Sequence, residues 1–445
     1  MASSSKDSSN SAKTEKIGKL SWLTAAIFII FALFSTLMMV HKLSEPLLNP
    51  RWFINTKTGK ADITDFFQYY QASALGQSKQ SKKVYDPDVQ KAWADELIAP
   101  IKSDKVFYNQ QPPFSYTLLL PLSWLPPPSA YLAWCLAQMG FGLCGLYYLS
   151  RLGPLKSRDR LLFIAGVALS FPAYSCIWHG NTSFWLLGAM SLFIAFLYER
   201  KELLSGVFLA LSTFKPQYLF PLTVPVAAMK RWKIAAALVI FELLLMLSAA
   251  PLIGFENVIG YPYVVTHAES SDNFIGVNAH KMISLRGPIA MFLSTGASLK
   301  ITAAVMFLSL GPLFLLWRKC TGVLSTVATV DSMRFLWAVT ICTMLLTSPH
   351  SHLFDFLLVA MAAALTLKTL SPIGRCPGAV NSDAVNKIWT IMLVVFPPLS
   401  WVANFAIGQE HAAVYFFFPY LFTLLILALL ALKDSLSRSE TGGLR

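Results

Sequence analysis

Residues 203–229 read LLSGVFLALSTFKPQYLFPLTVPVAAM, an apolar run broken in its middle by Lys215-Pro216-Gln217. Basic residues flank both ends, Arg200 and Lys201 before it and Lys230, Arg231 and Lys233 after it. A bilayer core about 30 Å thick takes roughly 20 apolar residues in one helix, and proline removes a donor from the helix ladder. A run with cations at both ends and a break in the middle therefore reads as two short helices that enter and leave by one face. Outward from it lie further apolar runs at Leu20–Val40, Pro128–Leu149, Leu161–Trp178, Ser183–Tyr198 and Ile234–Ile253. Leu299–Trp317, Phe335–Thr347, Leu353–Leu370, Ile388–Ile407 and Ala412–Leu432 complete the set. The expectation is an all-α polytopic membrane protein of about twelve transmembrane helices. Composition agrees: 55% of the 445 residues are hydrophobic and 13% charged, with mean hydropathy +0.54, where soluble domains carry about 25% charged residues. An ordinary soluble enzyme is excluded.

The net charge of +13 would point to nucleic acid in a soluble chain. Here the basic residues lie between apolar runs and serve as an orientation signal, so no nucleic-acid partner is expected. Lys6, Lys13, Lys16 and Lys19 precede the first span, which places the N-terminus in the cytosol by the positive-inside rule. Alternation then puts every other basic cluster and the C-terminal tail inside, and those segments hold the whole net charge. The division is a polar, disordered segment 1–19, a first span 20–40 that reads as an anchor, a helical outer loop 41–111, a bundle 112–432 with a second outer loop 254–298, and a tail 433–445. Six scattered cysteines, none in a C-x-x-C, read as small apolar residues.

All seven histidines fall on the outer side, with Asp65, Lys215, Arg286 and Asp355. Titratable groups gathered at one end of a bundle point to a site there. In the first loop, Asp62 and Thr64 are alternative N-caps for a helix through Phe66, Phe67, Tyr69, Tyr70 and Leu75. Asp65 fits its first turn, where the helix dipole stabilises a carboxylate, and is open to either a helix-start or a catalytic role. Tyr85-Asp86-Pro87-Asp88 has the look of a metal-binding D-x-D but reads better as an N-cap followed by proline. Residues 110–128, from Gln110 to a triple proline, are too short to span and read as a re-entrant or interfacial segment. His350-Ser351-His352 with Asp355 lacks a convincing third metal ligand, so neither a metal nor a cofactor is expected. Lys215 is open between binding an anion and snorkelling to the interface. Asp355 either orients His352 or caps the helix after it. Glu242, in mid-helix, is open between pairing with a neighbouring helix and marking a lipid or ion path.

A transporter of this size would be expected to show internal repeats and charges near the midplane; no repeat is visible. The other class is a membrane enzyme acting on a lipid-borne substrate. Asp65-Phe66-Phe67-Gln68-Tyr69-Tyr70-Gln71-Ala72, Val84-Tyr85-Asp86-Pro87, Pro112-Pro113-Phe114 and Leu120-Pro121-Leu122 together resemble the first-loop pattern of glycosyltransferase family 87. His179-Gly180-Asn181, Ser205-Gly206-Val207 leading to Lys215-Pro216-Gln217, Ser284-Leu285-Arg286-Gly287 and Ser348-Pro349-His350-Ser351-His352 follow in the same order. The resemblance runs over roughly residues 60 to 370, with Gly180-Asn181 standing where members usually show Gly-Gln.

That resemblance implies a C-type membrane glycosyltransferase bundle, with Asp65 as the catalytic carboxylate of the first outer loop. It implies transfer of a hexose, mannose first, from a polyprenyl-phosphate-sugar donor to a hydroxyl of a glycolipid or polymer acceptor. Inverting transfer needs a base for the acceptor proton, and the departing phosphate needs cations and hydrogen-bond donors. Lys215, Arg286, His350 and His352 are the expected phosphate-binding residues, and Tyr69, Asn181, Gln217 and Asn278 the substrate-binding ones. The expected setting is the cytoplasmic membrane, with its lipids as surroundings, both termini cytosolic and the site extracytoplasmic. A flippase for lipid-linked saccharide and a glycan ligase are the alternatives.

Overall fold

The structure is a computed structural model and describes residues 29–55, 60–61, 64–101, 106–270, 274–275, 277–323, 330–367 and 382–442. The segment 1–19, Asp62 and Cys376 lie outside the described residues. A first helix, α1, occupies 29–48. After a two-residue antiparallel pairing of Ile54–Asn55 with Lys60–Ala61 come α2 (Asp65–Gly76) and α3 (Pro87–Ile98). Asp86 caps α3 by accepting from the N–H groups of Asp88 and Val89, with Pro87 as the first helical residue. The D-x-D is thus a helix start. The segment after Gln110 holds a short α4 (Ser115–Leu118) and a 3-10 turn, Leu120–Trp124.

The bundle follows as α5 (Pro127–Ser150), α6 (Ser157–Ala168), α7 (Phe171–His179), α8 (Ser183–Tyr198), α9 (Glu202–Ala210), α10 (Leu219–Ala228), α11 (Trp232–Ile253) and α12 (Phe255–Ser270). It closes with α13 (Arg286–Ala290), α14 (Thr295–Val323), α15 (Val330–Thr347), α16 (Val359–Thr366), α17 (Ser382–Ala412) and α18 (Phe418–Gly442). Extended residues Val106–Phe107 pair in parallel with Phe274–Ile275, tying the first loop to the segment after α12.

Among the described residues five helices are long and apolar enough to cross a membrane: Pro127–Ser150, Trp232–Ile253, Thr295–Thr321, Lys387–Gly408 and Ala413–Leu436. A sixth is reached if α6 and α7, bent by 51° to one another, form one span. Among the described residues, which omit the start of the first expected span, this is fewer than the expected twelve. Hydropathy does not distinguish an apolar residue facing lipid from one packed between helices. α8 is the clear case: Phe184, Leu187, Met190, Phe193 and Ile194 have no exposed surface, and its 16 residues reach only about 24 Å. It packs against α5, where a Cβ on Gly145 would lie 2.7 Å from the Gly188 carbonyl oxygen; the two glycines let the backbones meet. α11, by contrast, exposes Val239, Ile240, Leu243, Leu244 and Leu247. So continuous an apolar surface belongs in lipid, and the chain is a membrane protein. The break at Lys215 is present as expected, with α9 and α10 separated by a turn and the 3-10 residues Pro216–Tyr218. The five described cysteines are free.

Candidate functional site

Four segments distant in sequence meet at the site: the start of α2, the α7–α8 turn, the Lys215 break and the loop before α16. Thr64, in extended conformation, precedes α2, and Asp65 is the first helical residue. The α7 helix ends on Gly180 at φ 63°. The Asn181 N–H bonds the Cys176 carbonyl and the Gly180 N–H bonds that of Ile177, the Schellman pattern in which glycine takes the left-handed position. Glycine is required here twice over, since a Cβ on Gly180 would stand 2.6 Å from the Phe66 Cβ. The turn is fixed from behind by the Trp134 indole N–H, donating to the Gly180 carbonyl at 2.7 Å, and by the Tyr131 hydroxyl, donating to the Ile177 carbonyl at 2.6 Å.

So held, the turn presents Asn181 to Asp65: the Asn181 Nδ2 donates to Asp65 Oδ2 at 2.7 Å. The Asn181 Oδ1 accepts from the Ser183 backbone N–H at 3.1 Å and lies 2.9 Å from the Ser183 hydroxyl. That hydroxyl is 2.7 Å from Asp355 Oδ1. Asp355 is fully buried, and Lys215 Nζ stands 2.7 Å from each of its oxygens. Its Oδ2 also accepts the His352 backbone N–H at 2.9 Å, so Asp355 caps the 3-10 turn Leu353–Leu358 while pairing with a cation. Lys215 is buried beside Phe354, 5.0 Å from the ring centre. It is an ion-pair partner in the interior, not a stem reaching for the interface.

A second charged cluster adjoins this one. Arg286 has no exposed surface; its Nη1 donates to Glu269 Oε2 and to the Pro349 carbonyl, each at 2.6 Å. His350 Nδ1 lies 2.7 Å from Glu269 Oε1, and the Gln110 Nε2 donates to the same oxygen at 2.9 Å. Burial opposes the charge of Glu269, but His350 and Arg286 outweigh it and hold the carboxyl well below its ordinary range. Gln110 is aimed by a scaffold of buried amides. Asn109 donates to the Gln68 carbonyl at 2.9 Å, Gln111 to the Gln68 Oε1 at 2.9 Å, and Gln90 Oε1 receives the Asn109 N–H at 2.7 Å. Burial, with His350 and Lys215 nearby, depresses His352 well below the usual imidazole range and keeps it neutral. Among the described residues its Nε2 is buried without a partner. Burial first and the Asp65 charge second push the Tyr69 phenol far above its usual value; its hydroxyl lies 3.5 Å from Thr182 Oγ1.

The fold thus gathers Asp65, Tyr69, Asn181, Lys215, Arg286, His350 and His352. Gln217 joins through its Nε2, which donates to the His350 carbonyl at 3.0 Å, whereas Asn278 is exposed. Three of the four expected phosphate-binding residues meet a carboxylate, Lys215 at Asp355 and both Arg286 and His350 at Glu269. Glu269, Gln110 and Ser183 are not among the site residues expected from the sequence, where no pattern gives them a role at the site. Glu242 finds the Thr213 hydroxyl, which donates to it at 2.9 Å. Among the described residues no group of three or more His, Cys, Asp or Glu is placed to hold a metal ion.

The sequence model of glycosyltransferase family 87 matches residues 110–349, more than half of the chain. The chain belongs to glycosyltransferase family 87. Membership and the lipid-facing helices together make it a membrane glycosyltransferase. Within the matched region of this family 87 chain lie Gln110, Asn181, Ser183, Lys215, Glu269 and Arg286; Asp65 precedes it, and His350, His352 and Asp355 follow it. The fold closes those outlying residues onto the matched ones. A comparison with curated proteins gives no match.

Proposed function

We propose that this family 87 enzyme moves a hexose, mannose first among them, from a polyprenyl-phosphate donor to an acceptor hydroxyl with inversion, on the extracytoplasmic face. The observation that carries the reading is the state of Asp65. Its carboxylate is only partly buried and is met by the Asn181 amide at 2.7 Å, whereas Asp355 and Glu269 are buried against cations. A neutral donor orients a carboxylate without pairing its charge, and the other oxygen is the one assigned to the substrate proton.

Asp65 takes the acceptor proton as the acceptor oxygen forms its bond to the anomeric carbon. The bond from that carbon to the phosphate oxygen breaks, and polyprenyl phosphate leaves with the electron pair. No acid is needed for such a leaving group, but its added negative charge calls for stabilisation. The two histidines are assigned to it, His350 from its place beside Glu269 and His352 through its buried Nε2. Lys215 and Arg286 contribute their field from within ion pairs. Tyr69, Gln217 and Asn278 are assigned to the sugar and acceptor side.

The test is to incubate the protein, reconstituted in nanodiscs, with synthetic polyprenyl-phosphomannose and a membrane extract, and to analyse products by mass spectrometry. A new species heavier than an acceptor by one hexose, with release of polyprenyl phosphate, is expected. Movement of intact donor between leaflets with no new glycosidic bond would support the flippase reading instead.

A further inference from the structure

We infer that Asn181, Ser183 and Asp355 form a positioning relay that aims the Asp65 carboxylate and couples it to the loop carrying His350 and His352. Asn181 is therefore assigned a role behind the base and not a contact to substrate. The inference rests on the reading of Asp65 as the base.

The geometry is directional. A carboxamide presents an acceptor at one end and donors at the other, and nothing in Asn181 itself decides which end faces Asp65. The Ser183 backbone N–H does: it is a donor only, it lies 3.1 Å from the Asn181 Oδ1, and so the Nδ2 is turned toward Asp65. Both ends of the amide are then committed. The Ser183 hydroxyl, between Asn181 Oδ1 at 2.9 Å and Asp355 Oδ1 at 2.7 Å, has one proton, which serves one of the two oxygens at a time. Asp355 anchors the far end, and its other oxygen takes the His352 backbone N–H. One buried carboxylate is thus shared by the side that holds the base and the side that carries the histidines. The Gly180 turn supplies the rigidity, because Phe66 of α2 packs directly on it.

A hydrogen bond to a charged group contributes about 1.5–3 kcal/mol, a factor of about 10 to 150. Asn181→Ala is expected to lower kcat by that factor, with KM for polyprenyl-phosphomannose unchanged within about twofold. Ser183→Ala removes a single oxygen and is expected to lower kcat in the same manner but by less; Ser183→Thr, which keeps the hydroxyl, restores it. The double variant Asn181→Ala/Ser183→Ala is expected to be no slower than Asn181→Ala alone, since Ser183 acts through Asn181. In an Asp65→Asn background, Asn181→Ala is expected to change the residual rate by less than about twofold.

A merely structural role would stack these losses and disturb donor binding. Retained kcat in both Asn181→Ala and Ser183→Ala, with Asp65→Asn inactive, would overturn the relay. So would a KM increase at constant kcat in Asn181→Ala, which would make it a substrate contact. Full turnover in Asp65→Asn would instead remove the reading on which the relay rests.

Discussion

Replacing Lys215 by methionine keeps the length and apolar character of the stem and removes the ammonium from a buried pair. Lys215 Nζ is 2.7 Å from both oxygens of Asp355, a separation at which an effective dielectric of about 20 gives roughly 6 kcal/mol of attraction. Desolvation of both groups offsets part of it. What decides the outcome is the carboxylate left behind: Asp355 has no exposed surface and would keep neutral donors, the His352 N–H and the Ser183 hydroxyl among them, but no cation. Breaking a buried pair from one side costs about 3–5 kcal/mol, and that is the loss expected for Lys215→Met in the unfolding free energy of the reconstituted protein. Lys215→Met combined with Asp355→Asn removes the stranded charge, and the asparagine carbonyl still accepts one of those two donors. The double variant is expected to return to within about 2 kcal/mol of the wild type, one or two hydrogen bonds short. Chemical denaturation of the three proteins in the same detergent measures both quantities. If Lys215→Met is destabilised by less than about 1 kcal/mol while its donor KM rises, Lys215 is a substrate cation and not a structural ion-pair partner. A double variant less stable than the single one would equally refute the stranded charge as the source of the loss.

Two further outcomes follow from the same geometry. Gly180→Ala meets both a left-handed φ of 63° and the Phe66 Cβ at 2.6 Å, so it should destabilise by more than about 1 kcal/mol and lower kcat by displacing Asn181; stability and turnover measured on one preparation check it. His352 is depressed in the folded state, so unfolding binds a proton as pH falls below about 6.5, and stability should drop by up to about 1.4 kcal/mol for each pH unit in that range. His352→Gln should flatten that slope in a melting series from pH 7.5 to 5.5.

Local chemistry was legible in the sequence because it acts over a few residues. Proline after Asp86 marked a helix start, the Lys-Pro-Gln triplet divided an apolar run, and the residues after Thr64 formed a helix as the pattern indicated. Asp65 and Asn181 were both identified from sequence, but not that they meet. Their contact depends on a left-handed turn at Gly180 and on a backbone approach that no spacing encodes. The same holds for Lys215 and Asp355, and for Glu269, whose partners Gln110, Arg286 and His350 come from three separate segments. The twelve expected spans yield five or six by length and apolarity among the described residues for a related reason: a helix such as α8, enclosed by others, is as apolar as one that faces lipid.

The most direct measurement is single-turnover transfer from synthetic polyprenyl-phosphomannose by Asp65→Asn, a change that keeps the shape of the side chain and removes the proton acceptor. Loss of a general base lowers rates by about 10²- to 10⁴-fold. A loss in that range, with donor binding and thermal stability retained, is the expected result. Product formation at the wild-type rate by the folded variant would contradict the assignment of Asp65 as the base.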